Sequence, residues 1–95
     1  MEGKGYHEPI KQISKKGRNK HRALLSLMEE LEAIDWYDQR IEVCEDVELR
    51  TILEHNRDEE KEHAAMLLEW IRRQDKALSN ELRDYLFTKK KIGHK

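Results

Sequence analysis

Apolar residues recur at three- and four-residue steps through most of the chain. Leu24, Leu27, Leu31, Ile34 and Ile41 form one stripe, and Leu49, Ile52, Leu53, Leu67, Trp70 and Ile71 form a second. This spacing sets side chains in a row along one face of an α-helix. Glycines stand at 3, 5, 17 and 93 and the one proline at 9, so helix-breaking residues are almost confined to the ends. A first helix is expected to start at Pro9, behind the acidic Glu8, and to run past Gly17 to about Val43. "VCEDVE" interrupts the pattern and supplies Asp46 as the N-cap of a second helix, with Glu48 in its first turn. That helix is expected to reach about Asp75. "ALSNELRDYLF" predicts a third, short helix capped by Ser79, whose Leu78, Leu82, Tyr85 and Leu86 fold back on the first two. Beyond Phe87 the tail "TKKKIGHK" is expected to be disordered.

The short connection makes the two long helices antiparallel neighbours. The chain therefore reads as all-α: one helical hairpin domain over 1–95, with its core at about 7–88 and a basic tail at 89–95. One hairpin covers only part of each stripe. Docking two hairpins into a four-helix bundle would cover the remainder, and composition favours this: 95 residues, 41% of them charged, leave little for a core. A second copy of the chain, or a metal, is the expected source of further stability.

Polar residues stand inside the stripes. Asn56, Glu60 and His63 interrupt the second near its centre, and Glu30 lies close to the middle of the first, with Tyr37 two turns further along the same edge. An interior carboxylate requires a counter-charge, a proton or a metal. Counted from the turn, Glu30 and Glu60 are about equally distant, roughly 22 Å at ~1.5 Å per residue, so they are level. His63 follows Glu60 by three positions and points the same way. A di-iron carboxylate centre in a four-helix bundle takes a Glu from each of two helices and a Glu-x-x-His from each of the other two. This chain carries one of each, half a centre, which twofold pairing would complete. The competing reading is an ion-paired Glu/His seam that sets register in a non-catalytic helical dimer.

Glu29, Glu32 and Trp36 share the opposite face of the first helix at i, i+3, i+7 spacing. They form either a low-affinity cation patch or an exposed acidic face with one partly covered indole. His7, His21, His55 and His94 read as solvated or structural, and Met28 and Met66 as core filling. Cys44 cannot form an internal disulfide, and neither a signal peptide nor a membrane span is visible, so a soluble cytoplasmic protein is expected. A net charge of −1, with basic and acidic residues interspersed, argues against a nucleic-acid partner.

"HRALLSLMEELEAIDWYDQR", then "HNRDEEKEHAAMLLEWIRR", then "LRDYLF" closely resembles the encapsulated ferritins, ferritin-like chains of two long helices, from about His7 to Thr88. The resemblance implies a ferroxidase that oxidises Fe(II) to Fe(III) at a di-iron centre shared by two chains, with dimers joined in a decameric ring. It implies Glu30, Glu60 and His63 as iron ligands, with Tyr37 close to the centre. Glu29 and Glu32, beside Trp36, would form a secondary metal site at the ring interior, through which iron enters. It also implies work inside an encapsulin shell, reached through a C-terminal targeting peptide or by fusion to the shell protein; "FTKKKIGHK" shows no such peptide. Carboxylates and histidine would also accept adventitious zinc, cobalt, manganese or calcium. A di-metal protein with another task, such as peroxide reduction, is the remaining alternative.

Overall fold

The computed structural model describes residues 5–93. A short 3-10 turn at Ile10–Gln12 precedes three helices: α1 (Lys15–Val43), α2 (Val47–Gln74) and α3 (Lys76–Tyr85). His94, expected to be solvated, lies outside the described residues.

The first helix starts later than its pattern implies. Pro9 heads only the 3-10 turn, Ile13 is extended, and Ser14 caps α1 by accepting a hydrogen bond from the Gly17 N–H at 3.0 Å. A side chain that satisfies one of the free N–H groups of the first turn fixes the start more firmly than helical periodicity upstream. Gly17 therefore lies in the capped first turn. The segment before it is strapped to α1: Arg18 Nη2 and Nε donate to the Ile10 carbonyl at 2.7 and 3.2 Å, and Tyr6 packs on the His21 ring with centroids 4.1 Å apart. Gly5 permits that approach, since its φ is +77° and a Cβ there would lie 2.8 Å from His21 Cε1.

At the turn Asp46 caps α2 as expected, accepting from the Leu49 N–H at 2.8 Å, while Arg50 Nη2 and Nε donate to the Cys44 carbonyl at 2.7 and 3.1 Å. The turn is thus closed by its own side chains, and α1 and α2 return antiparallel along their full length. The two long helices pack side by side as a single layer, with α3 added against α2.

The core of that layer is small. Ala23, Ala64 and Ile71 are the buried apolar residues among those described, and Ile71, 1% exposed, is the one large side chain fully covered. Met28 and Met66, expected as core filling, are 56% and 59% exposed, and Leu24, Leu31, Leu49, Ile52 and Trp70 are also exposed. One hairpin has no second layer to cover them. So many exposed apolar side chains on a small chain mark interaction surface.

Asp75 serves α2 and α3 at once. It ends α2, caps α3 by accepting from the Leu78 N–H at 2.9 Å, and pairs with Lys20 Nζ of α1 at 3.0 Å. The Leu78 N–H and the Lys20 ammonium hold its carboxyl below the usual carboxylate range. Ser79, expected as that cap, is instead buried inside α3, where its hydroxyl accepts from Arg72 Nη1 at 2.9 Å. The third helix does not fold back over both long helices. Its contacts are with α2 alone, and Leu86 and Phe87 at its end are exposed. From Thr88 to Gly93 no regular element follows, and the Tyr85 hydroxyl donates to the Gly93 carbonyl.

Candidate metal centre

Thirteen residues separate Glu30 from the last residue of α1, Val43, and thirteen separate Val47, the first of α2, from Glu60. At ~1.5 Å per residue both carboxylates stand about 20 Å from the turn, at the middle of their helices. His63 lies one turn beyond Glu60 on the same face. The fold brings all three together: one ligand-capable atom from each lies within 4.8 Å of the others, and this is the one such group of acidic, histidine or cysteine side chains among the described residues.

The contacts within the group are not those of a closed salt bridge. His63 Nδ1 is 3.7 Å from Glu30 Oε2 and 3.7 Å from Glu60 Oε2, longer than a hydrogen bond. Glu30 Oε2 is itself buried and has no hydrogen-bond partner. No lysine or arginine of the same chain pairs with either carboxylate among the described residues. A buried carboxylate oxygen without a donor is costly, and a cation held between the three side chains would satisfy it. The side chains are 23%, 25% and 39% exposed for Glu30, Glu60 and His63. A single hairpin therefore covers them only in part. Two hard oxygen donors and one imidazole suit Fe(II) and neighbouring divalent ions, and three protein donors leave coordination positions open.

Tyr37 follows Glu30 by seven residues and so stays on its face; it is half-buried, with the Arg40 guanidinium 5.4 Å above its ring. Glu29, Glu32 and Trp36 are exposed on another side of α1 and are not drawn into a three-ligand group within the chain.

One structural partner of the site escapes pattern reading. Arg57, one turn before Glu60, bridges the hairpin, donating from Nη1 to Asp38 of α1 at 3.1 Å and from Nε to Asp58 at 3.2 Å. These carboxylates raise its already high pKa, Asp38 most of all. The level count that matches Glu30 with Glu60 does not match Asp38 with Arg57, because the long arginine side chain reaches along the helix axis. No sequence signal would have found the pair.

The family model described as EncFtn-like matches residues 5–89. An encapsulated ferritin-like protein of Rhodospirillum rubrum is 60% identical over 82 residues, 86% of this chain and 59% of that protein. A ferritin-like protein of Thermotoga maritima is 56% identical over 87 residues, 92% of this chain and 76% of that one. The chain thus spans less than two thirds of the first relative's length. A Nitrosomonas europaea protein known from its crystal structure superposes with a TM-score of 0.90 at 63% identity, covering 95% of this chain and 99% of that one.

Proposed function

Because the chain belongs to the EncFtn-like family, we propose that it is a ferroxidase: two copies pair face to face, and their two sets of Glu30, Glu60 and His63 hold two ferrous ions between them. The observation that carries this reading is the buried, unpartnered Glu30 Oε2 in a group of three ligands at mid-hairpin. Iron here is the substrate, bound as Fe(II) and released as Fe(III).

Each ferrous ion yields one electron, so two adjacent ions supply the electron pair that reduces dioxygen to peroxide. The carboxylates contribute negative charge that stabilises the ferric product, and they can move between terminal and bridging positions as charge changes. His63 adds a neutral nitrogen donor that fixes one side of the site. Half of the ligands come from each copy, so metal uptake and pairing are coupled, each strengthening the other. Tyr37 lies along the same face toward the turn. Glu29, Glu32 and Trp36 serve as an outer patch that collects ferrous ions on their way to the centre.

The name of the Rhodospirillum relative motivates placing this activity inside an encapsulin shell, where a chain with no storage cavity of its own would deliver Fe(III) for mineralisation. Dimers would assemble further into a ring, a decamer in this reading.

Anaerobic titration of metal-free protein with Fe(II), followed by air, tests the reading when ferric absorbance and molecular mass are followed together. Saturation at about two irons per pair of chains, with oxidation and a rise in mass, is the expected result. Absence of binding and an unchanged mass would overturn it.

A further inference from the structure

At the end of the hairpin opposite the turn, where α1 begins and α2 finishes, lies a cavity of ≈ 260 Å³ lined by Lys15, Lys16, Asn19, Lys20, Trp70 and Gln74. Three of these side chains are cationic and none is acidic. Lys20 is paired with Asp75 at 3.0 Å, whereas Lys15 and Lys16 have no partner among the described residues. Asn19 adds to the surplus of donors: its side-chain oxygen accepts from Arg22 Nη1 at 2.7 Å, so its amide N–H groups are the end left unengaged. The Trp70 indole, 39% exposed, forms one wall.

Nothing within the chain compensates for this gathering of positive charge. Lys15 and Lys16 are the first two residues of α1, whose first turn holds no acidic residue, while α2 carries Glu48 at the equivalent place. Cations there oppose the helix dipole. A local rule broken without a gain inside the fold points to a ligand that supplies the gain.

Charge, donors and size narrow the occupant. Two unpaired ammonium groups match about two negative charges, and a phosphate group carries roughly −1.5 to −2 at neutral pH on three acceptor oxygens. A carboxylate offers less charge and fewer acceptors. The volume lies just below the ~300 Å³ at which pockets for drug-sized ligands begin, so the remainder of the molecule is small. The indole wall suits a flat ring. We propose that this cavity binds the phosphate monoester of a small ring compound, with the phosphate among Lys15, Lys16 and Asn19 and the ring against Trp70. The site stands apart from the metal centre, because Lys15 precedes Glu30 by fifteen residues, roughly 22 Å along α1 at ~1.5 Å per residue. It therefore does not depend on the ferroxidase reading, and either can fail alone.

Proton–nitrogen NMR of the full-length, metal-free chain tests this, with phenyl phosphate and inorganic phosphate as probes at constant ionic strength. The Trp36→Phe variant identifies the Trp70 indole signal, since the chain has two tryptophans. Phenyl phosphate should shift that signal and the amides of Lys15, Lys16 and Asn19 saturably, and should bind about tenfold tighter than inorganic phosphate. Lys15→Gln with Lys16→Gln should weaken both anions about tenfold or more, because the lost hydrogen bonds are charge-assisted. Lys89→Gln, Lys90→Gln and Lys91→Gln together remove more charge but do not line the cavity, and should change neither affinity. Trp70→Leu, with its helical spectrum checked by circular dichroism, should bring phenyl phosphate to the affinity of inorganic phosphate. Equal losses in the tail and cavity variants would reduce the binding to general charge attraction and overturn the site. Inorganic phosphate bound as tightly as phenyl phosphate would overturn the monoester assignment, and no saturable shift from either probe would overturn the whole proposal.

Discussion

Ile71 is the place where the hairpin is most exposed to damage from one substitution. It is 1% exposed, and the other buried apolar residues described are alanines. Truncation to alanine removes three carbons. At ~0.8 kcal/mol per buried methylene the transfer loss alone is about 2.4 kcal/mol. Incomplete collapse of the space raises it to about 3–4 kcal/mol, within the range found for such truncations. A domain of this length has about 5–14 kcal/mol in total, and a single layer with so small a core belongs at the low end. Ile71→Ala should therefore remove most of the stability of the metal-free chain, whereas Ile71→Val should cost about 0.5–1.5 kcal/mol. Urea unfolding followed by circular dichroism, with a chelator present and at several chain concentrations, measures both. The midpoint should fall with little change in slope. Redox-inert Co(II) should rescue Ile71→Ala, by about 2.7 kcal/mol at a hundredfold excess over its dissociation constant. A loss below about 1 kcal/mol in Ile71→Ala would refute the placing of the hairpin's anchor at this residue.

Other substitutions address the site and the junction of α2 with α3. His63→Ala or Glu60→Ala should abolish ferrous oxidation and metal-dependent association while leaving the helical spectrum intact; normal turnover in either, read by ferric absorbance, would remove these residues from the centre. Glu32→Ala should slow oxidation at limiting Fe(II) yet leave saturation stoichiometry unchanged, and loss of stoichiometry would merge the two sites into one. Glu69 accepts from Arg72 Nε and Arg73 Nε, each at 2.7 Å, and its pKa falls from 4.5 to about 2 through Arg72 first and Arg73 second. Because the folded value is the lower one, the stabilisation is complete above pH 4.5 and is lost as pH drops toward about 2. Arg72 also holds Ser79. NMR of the α3 amides should show α3 loosening in that window, and Glu69→Gln should abolish the pH dependence; identical acid profiles would refute the link.

The hairpin and its candidate centre are legible because both follow from counting. Apolar spacing delimits α1 and α2, Asp46 marks the second start, and equal distances from the turn put Glu30 beside Glu60, a placement the fold bears out. What failed depends on partners that a local pattern does not contain. Ser14 outcompetes Pro9 as the start of α1 through one side-chain hydrogen bond. Asp75 both ends α2 and caps α3, so no linker separates them and Ser79 is released to bond Arg72. Met28 and Met66 were assigned to a core that a lone hairpin does not enclose. Arg57 and Asp38, on different helices and at different levels, meet only through side-chain reach.

Helices fray from their ends, and amide hydrogens there exchange soonest with solvent. Glu30 and Glu60 are thirteen residues from the turn and at least as far from the opposite ends of their helices. Opening at the turn, at the strapped N-terminal segment or at α3 would consume many residues before it reached them. The backbone around Glu30, Glu60 and His63 should therefore be among the last to exchange, so that the three side chains stay together through partial unfolding that already releases the extremities of the chain.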